Sequence, residues 1–128
     1  MRKLLFLLST LLIITNNAFS QQEDISSMSA KELKQELDSG KQIVVIDVRT
    51  AEELSGPLGK LDNIIHIPVQ ELENRISELE KYKENQIAVI CRSGNRSRKA
   101  THLLIENGFN AKNVAGGMIE YRNTENSK

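Results

Sequence analysis

Cysteine occurs once in these 128 residues, at Cys91, and histidine twice, at His66 and His102. A lone cysteine cannot close an intramolecular disulfide, so a domain of this size must hold together through its core. The two histidines lie far apart in sequence, and no histidine–cysteine cluster suggests a metal. Net charge is missing too: 17 lysines and arginines balance 17 aspartates and glutamates. That balance gives no global attraction to nucleic acid or to an anionic membrane. Internal repeats and low-complexity tracts are also absent. One small domain is the expected organisation.

What is there begins with an apolar start. Arg2 and Lys3 precede a stretch from Leu4 to Ile14 interrupted only by Ser9 and Thr10. A polar patch and the tripeptide AFS follow, which puts small residues at −3 and −1 of a cut after Ser20. This is the layout of a secretory signal peptide. The apolar stretch is shorter than the about 20 residues that span a bilayer. The expectation is a signal peptide over 1–20 and a single domain over 21–128, periplasmic or secreted, with no stable membrane insertion once the signal is removed. Without Arg2 and Lys3 the remaining 108 residues carry 15 basic and 17 acidic side chains.

Helices and strands alternate along the rest. SAKELKQELDSG reads as a helix with Ser29 as N-cap, Glu32 three residues on and Gly40 as a stop. QIVVID is a continuous apolar run, as in a strand covered on both faces. A loop, VRTAEELSGPLGKLDN, leads to a short strand, IIHI, stopped by Pro68. VQELENRISELEKY carries Leu72, Ile76 and Leu79 at helical spacing. QIAVI is a second buried strand, SRKATHLLIENG a third helix, KNVAGG a last short strand and MIEYRN a final helical turn. This order predicts an α/β sandwich with a mainly parallel sheet. Ligands of such sheets bind beyond the carboxyl ends of the strands, and Cys91 directly follows QIAVI.

The residues after that cysteine are suited to an anion. Arg92, Ser93, Gly94, Asn95, Arg96 and Ser97 all carry backbone N–H groups, and Gly94 and Asn95 tolerate left-handed conformations, so the loop can curl its donors inward. Ser97 is placed to cap the following helix, whose N-terminus adds its positive end. Arg92 and Arg96 add full charges. Such surroundings lower a thiol pKa and supply a nucleophilic thiolate without an adjacent histidine base. His102 is expected at the surface, and His66 on a short strand near the site.

CRSGNRS resembles the active-site loop of the rhodanese family, the thiosulfate and persulfide sulfurtransferases. VVIDVRTAEEL is similar to that family's aspartate–valine–arginine signature with a downstream glutamate. NVAGGMIEY resembles its closing double-glycine segment, with Tyr121 where tryptophan is common. GKLDNIIHIP matches a further segment only in part, with Lys60, Asn63, Ile64 and His66 departing from the usual residues. The resemblance runs from about Ser26 to Arg122. It implies a five-stranded parallel sheet flanked by helices, no cofactor and no metal. It also implies a two-step reaction: Cys91 takes the outer sulfur of a small sulfur-containing anion such as thiosulfate, then hands it to a thiol or cyanide. Asp47, Arg49 and Glu53 would brace the loop, through Asp47 or Glu53 pairing with an arginine. A plain Arg49–Glu53 ion pair, four residues apart, is the simpler possibility. Two rival functions remain beside sulfur transfer: a persulfide carrier without turnover, and a cysteine-dependent phosphatase or arsenate reductase. The latter use a loop one residue longer than the four residues separating Cys91 from Arg96.

Overall fold

The computed structural model describes residues 26–127; the expected signal peptide over 1–20 lies outside the described residues. Five strands form one sheet in which every pairing is parallel: β1 (Ser27–Ser29), β2 (Val44–Asp47), β3 (Ile65–His66), β4 (Gln86–Ile90) and β5 (Asn110–Ala115), in the order β1-β5-β4-β2-β3. The helices are α1 (Ala30–Asp38), α2 (Ala51–Leu54), α3 (Val69–Arg75), α4 (Asn95–Glu106) and α5 (Gly117–Asn126), with a 3₁₀ segment at Ile76–Tyr82. The α/β sandwich expected from the alternation is the fold observed.

Alternation along the strands divides the core into two layers, because successive side chains point to opposite faces. Ile46, Ile87 and Val89 pack on one face with Leu72, Leu79, Ala100 and Leu104. Val45, Ala88 and Ile90 pack on the other with Leu33, Met118 and Tyr121. Helices α3 and α4 therefore cover one side and α1 and α5 the other. β4 is buried from Ile87 onward because it is central and covered on both faces.

Ser29 caps α1 as expected, and the capping box with Glu32 is closed in both directions. Elsewhere the chain departs from the sequence reading. The loop after β2 contains α2, opened by a second capping box between Thr50 and Glu53. The helix expected over 69–82 changes winding at Ile76. The spacing explains the change: Ile76, Leu79 and Tyr82 all pack on the core and are three residues apart, which a helix of three residues per turn stacks on one face. β1 is an added edge strand beside β5, and α5 runs well past the single turn expected. No helix among the described residues is long and apolar enough to cross a membrane.

The chain leaves β2 toward β3 on one side and β4 toward β5 on the other. The carboxyl ends of β2 and β4 thus flank a point where connections diverge, which is where open α/β sheets place ligands. Asp47 and Ile90 are paired there, and Cys91 is the next residue.

Candidate active site

Cys91 is free and 1% exposed. Its sulfur faces a short arc of donors. The Gly94 amide donates to Sγ at 3.1 Å and the Ser97 amide at 3.4 Å, and the Ser97 hydroxyl lies 3.2 Å away. Gly94 makes the curl possible with a φ of 100°, a conformation open to glycine and strained for other residues. Burial pushes the Cys91 thiol up. The Ser97 hydroxyl and the amides of Ser97, Gly94 and Ser93 outweigh that and hold it below its ordinary value.

The same stretch turns its carbonyls the other way. Cys91 O accepts from the Met118 amide at 2.8 Å and Arg92 O from the Ile119 amide at 3.1 Å. The open N-terminus of α5 therefore fixes the loop from behind, and its donors are left to the sulfur. Gly117 lies against this contact: a Cβ there would stand 2.5 Å from Cys91 O and 2.6 Å from the Arg92 carbonyl carbon and oxygen. Sequence reading did not single out Gly117 for this contact. The double glycine was its visible signal.

Two carboxylate–arginine pairs lie beside the loop. Asp47 holds Arg49 through Nε at 3.0 Å and Nη2 at 2.7 Å, both residues being buried. Arg49 Nη2 also donates to Gly59 O at 2.7 Å, and its own carbonyl bonds His66 Nε2 at 2.7 Å. Arg96, on α4, forms a two-pronged pair with Glu53 of α2 at 2.6 and 2.7 Å. The local Arg49–Glu53 ion pair does not form; Arg49 reaches only the Glu53 carbonyl, because Asp47 already holds its guanidinium. Arg92 is exposed and lines a cleft of about 240 Å³ with Arg49, Glu53, Gly56, Pro57 and Leu58. Ser93 and Asn95 are exposed beside it.

Ser97 is not the helix cap. Helix α4 starts two residues earlier, at Asn95, with Gly94 at the cap position. Ser97 sits inside the first turn, fully buried, and its hydroxyl donates to Asn113 Oδ1 at 2.6 Å. Asn113, on β5 and 3% exposed, is a residue the sequence reading missed. A polar side chain sharing a strand face with Ala111 and Ala115 was the available signal. His102 is exposed on α4, as expected.

The Arg96 guanidinium beside Glu53 holds that carboxyl at about 2, against burial, which raises it; the Thr50 amide and hydroxyl add to the lowering. Its ordinary value is 4.5. A depressed folded value means that the stabilisation is complete above about pH 4.5 and is lost as pH falls toward 2. Glu53→Gln keeps the shape and removes the charge. Denaturant unfolding at neutral pH is expected to show a loss of roughly 1–3 kcal/mol. The gap between wild type and variant should close in acid; a gap that persists unchanged to pH 2 would show that the pair is not its source.

Residues 29–124 match the sequence model of the rhodanese-like domain family. The chain is 34% identical over 98 residues to "Putative sulfurtransferase YtwF" of Bacillus subtilis (strain 168), covering 77% of this chain and 91% of that protein. It is also 34% identical over 98 residues to "Putative sulfur carrier protein YrkF" of the same organism, covering 76% of this chain and 51% of the relative. Among solved structures, a rhodanese-like domain protein from Staphylococcus aureus superposes with a TM-score of 0.68 at 32% identity, over 75% of this chain and 90% of that one. The resemblance carried by the Cys91 loop and the double glycine extends through the whole described fold, and the chain belongs to the rhodanese-like domain family.

Proposed function

We propose that this protein is a sulfurtransferase that moves a sulfane sulfur from thiosulfate or a persulfide donor, through a persulfide on Cys91, to a thiol or cyanide. The observation that carries the reading is the convergence of the Gly94 amide, the Ser97 amide and the Ser97 hydroxyl on one buried sulfur. In the first step the Cys91 thiolate attacks the outer sulfur of thiosulfate. The S–S bond of the donor breaks and sulfite leaves with the electron pair. In the second, the acceptor attacks the outer sulfur of the persulfide and Cys91 departs as thiolate. The sulfonate end of thiosulfate needs a cation. Arg96 is already matched by Glu53, which makes the exposed Arg92 the better candidate.

The relatives named as sulfurtransferase and sulfur carrier support sulfur transfer in general. A carrier that loads sulfur but does not turn over is the second reading, favoured by the name of the second relative. Thiosulfate:cyanide turnover by the purified protein separates the two. Repeated turnover is expected, with negligible activity on aryl phosphates or arsenate, because the arc at Cys91 presents few donors for a three-oxygen phosphoryl group. A single stoichiometric load without turnover would favour the carrier. Robust phosphatase turnover without thiosulfate turnover would reverse the assignment.

Export is part of the same proposal. Residues 1–20 would direct it and the processed chain would begin at Gln21. N-terminal sequencing of the protein from fractionated cells is expected to read from Gln21 outside the cytoplasm; an intact Met1 on a cytoplasmic protein would refute it.

A further inference from the structure

Ser97 faces two acceptors with one hydrogen. Its Oγ lies 2.6 Å from Asn113 Oδ1 and 3.2 Å from Cys91 Sγ. A serine hydroxyl donates once, so it cannot serve the amide carbonyl and an anionic sulfur together. All three residues are buried, Ser97 fully. The backbone of Asn113 is held at both polar groups, its amide donating to Ser26 O at 2.6 Å and its carbonyl accepting from Ser27 Oγ at 3.3 Å. Ser97 is held by the first turn of α4, where its carbonyl accepts from Thr101 Oγ1 at 2.7 Å. The main chains are fixed on either side, and the hydroxyl hydrogen is the part free to move.

We propose that Asn113 is a positioning residue: its side-chain carbonyl holds the Ser97 hydrogen while Sγ is neutral and releases it to Sγ when the sulfur carries charge. In the neutral thiol, S–H donates to Ser97 Oγ and Ser97 O–H donates to Asn113, a chain running one way. On loss of the thiol proton, the hydroxyl turns about its C–O bond and donates to the thiolate. The Asn113 carbonyl is then without that donor, so the hydrogen belongs to the sulfur only while the sulfur is anionic.

The role in the second half-reaction rests on the sulfur-transfer reading. In a Cys91 persulfide the charge sits on the outer sulfur, and Sγ, now bonded to it, is no longer the anion. The Ser97 hydrogen returns to Asn113. When the acceptor takes the outer sulfur, the S–S electron pair falls back on Sγ, and the hydroxyl swings across to meet it. The device stabilises Cys91 as a leaving group at the moment it leaves, in addition to the fixed amides of Gly94 and Ser97.

The charged groups around the sulfur are Arg96 with its partner Glu53, Asp47 with Arg49, and Arg92 on the loop; Glu120 of α5 is exposed. None of them is altered in the test. Iodoacetamide alkylation of Cys91 is followed against pH in wild type, Asn113→Leu, Asn113→Asp, Ser97→Ala and Ser97→Ala combined with Asn113→Leu. The high-pH plateau reports access to the sulfur and the midpoint reports the thiolate. After normalising to the plateau, Asn113→Leu is expected to speed alkylation at neutral pH by about three- to tenfold, because Ser97 then has one acceptor. Asn113→Asp is expected to slow it, since a carboxylate keeps the hydrogen and adds a negative charge. The gain from Asn113→Leu should vanish in the Ser97→Ala background. A loosened site would instead lose its donors and slow alkylation. The proposal is overturned if Asn113→Leu leaves the midpoint unchanged or raises it, or if its gain survives without Ser97. Should Asn113→Asp fail to fold, the leucine variant and its double mutant decide alone. Alkylation needs no sulfur donor. The expected pattern in a protein that turns over neither thiosulfate nor a persulfide donor would sink the sulfur-transfer reading and leave the Ser97–Asn113 pair standing.

Discussion

Cys91→Ser is expected to lower thiosulfate:cyanide turnover by about a thousandfold or more, the scale on which loss of a nucleophile acts. It should also abolish the mass gain of one sulfur atom after thiosulfate treatment. Serine keeps the size of the side chain and can accept from the same Gly94 and Ser97 amides. It does not supply the anion. A hydroxyl is a weak nucleophile unless a base activates it, and the donors at this site stabilise a charge without removing a proton. Neither described histidine is placed to help, since His66 is bonded to the Arg49 carbonyl and His102 is exposed on α4. The fold should survive with a change in stability of about 1 kcal/mol, within the ordinary range for a point mutant. Circular dichroism and denaturant unfolding check that part. Turnover by the serine variant at a rate comparable to wild type would remove Cys91 from the mechanism.

Placement of the cysteine was legible because two strong signals meet there. An apolar run without alternation marks a strand covered on both faces, and β4 is buried from Ile87 through Ile90. A glycine followed by a helix marks a turn, and Gly94 occupies it. The capping box of α1 was equally readable, because both partners lie within four residues. Local information fails where a residue's partner comes from another element. The pairing of Arg96 with Glu53 spans 43 positions, and nothing at either residue names the other; an Arg49–Glu53 pair looked as reasonable. β1 has a single buried apolar side chain, Met28, and becomes a strand only because β5 offers an edge. Helix α2 was missed for a different reason. Thr50 and Glu53 carry the same box as Ser29 and Glu32, but glycine and proline immediately after them made the whole segment read as loop. The start of α4 was misplaced because serine is a favoured cap and Asn95 is a poor helix former. With Ser97 inside the first turn, its hydroxyl faces inward toward Cys91 and Asn113 and does not serve the helix end.

Gly117→Ala is expected to be strongly destabilising, by about 3–5 kcal/mol. Three effects add. The native φ of 58° is left-handed and costs an L-residue about 1–2 kcal/mol. The added methyl would stand 2.5–2.6 Å from the Cys91 oxygen and the Arg92 carbonyl, and these are backbone atoms that cannot rotate away. Relief requires the loop and the start of α5 to separate, which stretches the bonds from the Met118 and Ile119 amides to those same carbonyls. A buried polar group left without its partner costs about 1–3 kcal/mol. Set against a typical total stability of about 5–15 kcal/mol, this is enough to unfold a sizeable share of the molecules at moderate temperature. Gly40→Ala is the control. Gly40 has a φ of 81° with nothing within 4 Å of its missing Cβ, so only the conformational cost of about 1–2 kcal/mol applies. The loss at Gly117 should exceed that at Gly40 by about 1 kcal/mol or more in denaturant unfolding. The two variants should also differ in chemistry. The folded fraction of Gly117→Ala should alkylate more slowly at neutral pH than wild type, because the loop can no longer aim the Gly94 and Ser97 amides at the sulfur. Gly40→Ala should alkylate like wild type. Equal stability losses and equal alkylation in the two variants would mean that the α5 terminus does not set the loop.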